Sequence, residues 1–190
     1  MKQKVFTLIA LSLLISVSLR AQSKEQLPQE QIIVPTDQIS LGLGMGFDYG
    51  GFGGNLLFYP QQNIGLFAGA GYAIAGVGFN AGVKARLLNK KGNQKLRPYL
   101  MAMYGYNAAI AVSGAEQYNK LFYNFSFAVG FDYWRKPLLK KGYWSFALTV
   151  PVRGDEVQEY MDDLENNHGV EFKNSLPPVG ISIGYHIVFK

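Results

Sequence analysis

Five side chains set the chemical question: Lys84, Arg86, Arg97, Asp132 and His186. Each stands on the polar side of a stretch in which apolar and polar residues alternate, and period-two alternation puts successive side chains on opposite faces of a strand. Charges gathered on an enclosed face must be paired or hydrated. The group therefore reads as a salt-bridged cluster that plugs a lumen, or as the lining of a narrow polar conduit. Asp48 lies on the same face near the opposite end. Catalysis finds less support. The chain holds two histidines, His168 and His186. His186 shares its face with Ser182, but four residues along a strand separate them by about 13 Å, too far for a nucleophile and its base. His168 has no serine near it in sequence. There is no phosphate loop, no histidine pair at metal-ligand spacing and no cysteine, so no cofactor, thiolate metal site or disulfide is expected.

A second constellation is acidic. Between Pro151 and Pro177 lie Asp155, Glu156, Glu159, Asp162, Asp163, Glu165 and Glu171, seven of the thirteen acids of the chain. Val157, Tyr160, Met161 and Leu164 recur at helical spacing and form one apolar stripe. Asp155 is placed to cap the start, and the run from Asn166 to Gly169 to end it. This predicts an amphipathic helix over 156–165, with its apolar side on neighbouring structure. The loop that carries the helix, with Arg153, Asp155, Glu156, Glu159, Tyr160, Asp162 and Asp163, is a candidate recognition surface, or simply a solvated lid. Arg153-Gly154-Asp155 matches the tripeptide read by integrins, but it abuts a strand end, where Arg153 can pair with nearby acids.

The lumen residues sit on eight alternating stretches, near Ile39–Tyr49, Gly51–Tyr59, Ile64–Ile74, Val77–Leu88, Leu96–Asn107, Phe122–Trp134, Gly142–Val152 and Pro178–Lys190. One side of each carries large apolar residues, as in Ile39, Leu41, Leu43 and Met45. The other carries glycine, serine, alanine, asparagine or charge, as in Ser40, Gly42 and Gly44. A soluble barrel would show polar residues outside and apolar ones inside. Strands of this length span a bilayer when tilted, and inward glycines give interior groups the room that an eight-stranded barrel lacks. Short joints at 61–62, 89–94 and 136–141 alternate with joints at 50, 75–76, 108–121 and 151–177, two of them long. Aromatic residues cluster near strand ends, where rings favour the membrane interface. Phe47, Tyr49, Phe52, Tyr72, Tyr106 and Tyr123 lie at one level, and Phe58, Tyr59, Tyr133, Trp134, Tyr143, Trp144 and Phe189 at the other.

The first residues read as a secretory leader. Met1–Lys4 is basic, Val5–Val17 is uncharged, and Leu19-Arg20-Ala21 precedes the expected cut, which assigns 1–21 to a signal peptide. Residues 22–38 are polar, glutamine-rich and aperiodic, a flexible periplasmic lead-in, and 39–190 forms the barrel. Loss of Lys2, Lys4 and Arg20 from the formal +5 leaves about +2. The remaining charges are segregated between the acidic loop and basic turns (Lys90, Lys91, Lys95, Arg135, Lys136, Lys140, Lys141), so no nucleic-acid partner is implied.

The final strand carries the most specific pattern. Ser182, Gly184, Ile187 and Phe189 are spaced as in the C-terminal assembly signal of bacterial outer-membrane barrels, with Lys190 one residue beyond the usual aromatic end. From Ile39 onward the chain resembles the small eight-stranded outer-membrane barrels of the OmpA/OmpX type. The resemblance implies an all-β, antiparallel, transmembrane up-and-down barrel in the bacterial outer membrane. It implies outer-membrane lipids and the barrel-assembly machinery as partners, with an unidentified extracellular partner for the acidic loop. The fold itself hosts anchors, adhesins, narrow pores and lipid-modifying enzymes. The structural or surface-interaction role comes first here, a narrow porin-like channel is the alternative, and a lipid-modifying enzyme lacks its nucleophile.

Overall fold

The computed structural model of the chain describes residues 38–87, 95–135, 141–172 and 176–189. Eight antiparallel strands follow one another around a closed barrel: β1(Ile39–Gly46), β2(Gly51–Phe58), β3(Ile64–Ala73), β4(Gly76–Arg86), β5(Leu96–Ile110), β6(Lys120–Tyr133), β7(Gly142–Pro151) and β8(Gly180–Phe189). Each strand pairs with its neighbours in sequence. The last closes on the first in a register that runs from Ile39 opposite Phe189 to Met45 opposite Ile183. The signal peptide and nearly all of the 22–38 lead-in fall outside the described residues.

Alternation decides which face each residue takes. Leu43, Phe52, Phe79, Phe127, Leu148 and Ile181 stand on the outer face, with Phe52 76% and Leu43 64% exposed. Asn55, Asn80, Lys84, Arg97, Ser126, Asp132, Thr149 and His186 are buried inside. The outer surface is thus apolar and the interior mixes charge, amide and hydroxyl with Leu57, Phe67, Tyr99, Met101 and Met103.

Two features depart from the expected pattern. The first strand ends at Gly46, not Tyr49. Phe47–Tyr49 forms a 3-10 turn closed by Gly50 in the left-handed region (φ 67), with Gly46 (φ 131) and Gly51 (φ 109) on either side. Such angles are open to glycine and costly for other residues, so the three glycines let the chain fold inward and return. The turn enters the bore. Tyr49 is 0% exposed and Asp48 is buried, and the Asn55 amide donates to the Asp48 carbonyl at 2.8 Å. The glycines facing the bore make this possible. A Cβ at Gly69 would strike the Asp48 carbonyl, one at Gly71 the Tyr49 carbonyl, and one at Gly184 the Tyr49 hydroxyl.

The second departure is uneven strand length. β5 has 15 residues and β6 has 14, against 8 in β1 and β2. The β5–β6 hairpin rises above the rest of the rim, past a bulge between Tyr106 and Ala108. Helix α1(Asp155–His168) packs on it. Val157 and Leu164 bury against Ala108, Ile110 and Phe122, and burying side chains of this size stabilises by about 1.5–3 kcal/mol each. Tyr160 and Met161 fill the flank of the same cluster. The helix is longer than expected. Gly154, not Asp155, holds the N-cap position, and Asp155 joins the acidic first turn, where a carboxylate complements the helix dipole. At the other end Gly169 adopts φ 65, and the Val170 amide donates to the Leu164 carbonyl at 3.1 Å.

Candidate functional site

The five lumen residues stand on four strands near the end of the barrel where β1 begins. Cross-strand pairing sets Arg97 opposite Asp132, and Asp132 opposite Ser145. Lys84 Nζ lies 2.7 Å from Asp132 Oδ1. Ser145 donates to the same oxygen at 2.9 Å, and the Tyr99 hydroxyl is 2.9 Å from Ser145 Oγ. Arg86 Nε approaches Asp132 Oδ2 at 3.9 Å. Asp132 is 0% exposed, so the cations around it compensate a charge that water does not reach.

Each of the three cations also lies over an aromatic ring. Lys84 sits 3.7 Å from the centroid of Tyr99, Arg86 3.7 Å from that of Tyr59, and Arg97 4.6 Å from that of Trp134. The negative face of such a ring attracts a cation, more strongly where water is excluded. Tyr59, Trp134 and Tyr143 are therefore not interfacial girdle residues. They are buried in the bore, and Trp134 stacks on Tyr143 with centroids 4.5 Å apart. Strand parity carries the signal for this: Phe58, Tyr133 and Trp144 point outward, so their neighbours point inward. Phe47, Tyr49 and Tyr106 also leave the expected girdle, whereas Phe52, Tyr72 and Trp144 stay on the outer surface.

His186 belongs to a second network. Its Nε2 is 2.9 Å from the Tyr49 hydroxyl and its Nδ1 is 3.3 Å from Ser40 Oγ. Ser40 also meets the Tyr143 hydroxyl at 3.1 Å, and the Tyr143 and His186 rings stack in parallel, 4.8 Å apart. The serine beside the histidine is thus Ser40, brought in by the β1–β8 seam, and not Ser182. Both partners are buried, Ser40 at 1% and His186 at 2% exposed. The space among Asp48, Asn55, Leu57, Phe67, Lys84, Met101 and His186 is too narrow to seat a water molecule. Only the glycines at 46, 50 and 51 hint in the sequence that Tyr49 turns inward.

The acidic segment divides. Asp155, Glu156, Glu159, Asp162 and Asp163 are exposed on α1. Tyr160, placed among the recognition residues by sequence, is instead a packing residue. Its hydroxyl donates to the Tyr118 carbonyl at 2.9 Å, and its ring meets Phe122 edge to face. Arg153 pairs with no carboxylate among the described residues. It donates to the carbonyls of Leu176 (3.3 Å) and Pro177 (2.7 Å) and ties the end of β7 to the approach of β8. Burial pulls its pKa down from the usual guanidinium value, and the nearby Tyr106 phenol opposes that shift. Arg153-Gly154-Asp155 is therefore a strand-to-helix joint, not a free loop tip.

In the final strand Ser182 and Gly184 face inward, while Ile187 and Phe189 face outward. Gly184 leaves the space that the Tyr49 hydroxyl occupies.

No family model matches this sequence, and no curated protein matches it. Among solved structures, the chain is similar to the crystal structure of the N-terminal β-barrel domain of Pseudomonas aeruginosa OprF. The two share 11% identity over 80% of this chain and 98% of that one, with a TM-score of 0.45. The closed eight-stranded barrel stands on its own strand pairing.

Proposed function

We propose that the chain is a bacterial outer-membrane barrel of the OmpA/OmpX kind, with a closed lumen, and that it serves as a structural or surface-interaction protein through its acidic helix. The observation that carries this is the inverted dressing of the barrel. Leu43, Phe52, Tyr72, Ile74, Val77 and Ile181 are among many large apolar side chains exposed on the outside, while Lys84, Arg86, Arg97 and Asp132 are buried inside. A continuous exposed apolar belt requires a partner, and a closed barrel satisfies its backbone groups by itself, as lipid demands.

Sidedness is supported by the joints. At the end where β1 begins, the connections span residues 59–63, 87–95 and 134–141, with Lys95, Arg135 and Lys141 exposed. The opposite end carries the β5–β6 hairpin and α1. The first end is read as periplasmic and the second as outer. Closure is supported by Tyr49 and Asp48 standing in the bore and by the lack of room for water beside His186; the filled bore takes support away from the narrow-channel alternative. A surface role is supported by α1 itself, whose apolar stripe is used up on the hairpin while its acids remain in solvent. Such a face suits a partner that brings positive charge.

The test is the migration of the outer-membrane fraction in detergent gels, unheated against boiled. A folded barrel that resists detergent gives a band that shifts on boiling. Recovery of the protein from the soluble periplasmic fraction, with no shift, overturns the reading.

A further inference from the structure

The low side of the rim opens into an apolar cleft. β1 stops at Gly46 and β2 starts at Gly51, and the residues between them fold into the bore. On the far wall β5 continues five residues beyond Gly105, the last of its residues paired with β4, a rise of about 16 Å along the strand. Over the low wall lies a cleft of about 310 Å³. Its outer lip is Met45, Phe52, Tyr72 and Ile181, all exposed and continuous with the apolar belt. Its inner end is the stacked pair Phe47 and Tyr106, with centroids 5.3 Å apart. Asn80 fixes that pair by donating to both backbone carbonyls, at 2.6 and 2.9 Å. Gly180 is part of the floor, and the Phe47 ring lies where a side chain there would be.

The chemistry of the cleft selects its occupant. None of its lining residues is charged, and it opens sideways onto the belt. At its β8 side is Arg153, held by the carbonyls of Leu176 and Pro177 just ahead of Gly180, and the carbonyl of Val152 beside it accepts from the Asn107 side-chain amide, one residue from Tyr106. Its Nε is buried without a hydrogen-bond partner, and no carboxylate pairs with it among the described residues. We propose that the cleft seats one acyl chain of an anionic membrane lipid, which enters over the β1–β2 rim and sets its headgroup beside Arg153. This rests on the outer-membrane reading above. Sites of this volume fall at the small end of the range for bound small molecules, which fits one chain better than a whole lipid.

The experiment is photolabelling of the full-length protein in phosphatidylcholine vesicles. One arm contains phosphatidylglycerol with a diazirine in its acyl chain, the other phosphatidylcholine with the same chain, and adducts are mapped by mass spectrometry. Belt residues such as Val129 and Leu148 should label in both arms. Phe47 and Tyr106 should label preferentially with the anionic lipid. Arg153→Gln should reduce that labelling about fivefold, the effect of one basic side chain near an anionic surface. Ala73→Leu, at a buried residue that also lines the cleft, or Ile181→Trp at the lip should the first fail to fold, should abolish labelling of Phe47 and Tyr106 and spare the belt. Labelled belt residues with unlabelled Phe47 and Tyr106 overturn the cleft proposal alone. Equal labelling by the two lipids overturns the headgroup assignment. Absence of belt labelling overturns the membrane reading and the cleft with it.

Discussion

Asp132 is the residue on which the interior depends. It faces Lys84 at 2.7 Å, Ser145 at 2.9 Å and Arg86 at 3.9 Å, at the centre of a cluster with three cations. Removal of one member of a buried ion pair leaves its partner uncompensated and costs about 3–5 kcal/mol. Asp132→Ala should lose that much in urea unfolding from lipid vesicles. Ser145→Ala removes a hydrogen bond to a charged group and should lose about 1.5–3 kcal/mol in the same assay. A loss below about 1 kcal/mol for Asp132→Ala would mean that the cations are hydrated and the bore is wet. Parity alone put Lys84, Arg86, Arg97, Asp132 and His186 on the inner face of their strands, and the structure finds them there. Their partners were not legible. Ser145, Tyr99 and Ser40 come from distant strands, and a period of two fixes a face without fixing a register. Tyr59, Trp134 and Tyr143 show the reverse case. They read as interfacial rings from their position at strand ends, although the parity of their strands points them inward.

The inward turn and the outer helix are separate devices built on separate hairpins. Replacing Phe47–Gly50 with a two-residue Asn-Gly hairpin turn keeps the pairing of β1 with β2 and removes Tyr49 from the bore. Planar-bilayer recordings should show no single-channel steps for the wild-type protein and discrete steps for this variant. Steps of equal size in both would show that the turn does not close the path. Helix α1 is held by its apolar stripe, so Leu164→Asp should free it from Ala108, Ile110 and Phe122. Limited proteolysis should then cut within residues 153–177 at least tenfold faster, while the boiling-dependent gel shift of the barrel is unchanged. The helix was readable from Val157, Tyr160, Met161 and Leu164 at helical spacing. Its start was misread because Asp155 is a good capping residue, yet Gly154 already occupied that position. The inward turn was marked only by the glycines at 46, 50 and 51, since Phe47, Asp48 and Tyr49 prolong the alternation of β1 and that period does not show where a strand leaves the wall.

For the molecule as a whole, the eight strands, their order and the inverted dressing follow from composition and period, because every strand repeats the same contrast between its faces. The slope of the rim does not. Beyond Tyr106 a bulge breaks the alternation, so Ala108, Ala109 and Ile110 read as loop although they are strand.

The turn also ties the two ends of the chain to each other. It belongs to the first hairpin, yet its Tyr49 hydroxyl meets His186 and occupies the space left by Gly184, both on the last strand. The turn can therefore complete its contacts only when the seam between β1 and β8 brings the last strand beside the first. Closure of the seam then locks the turn in place. Parting of the seam takes those contacts away, so loosening of the last strand should loosen the first turn with it.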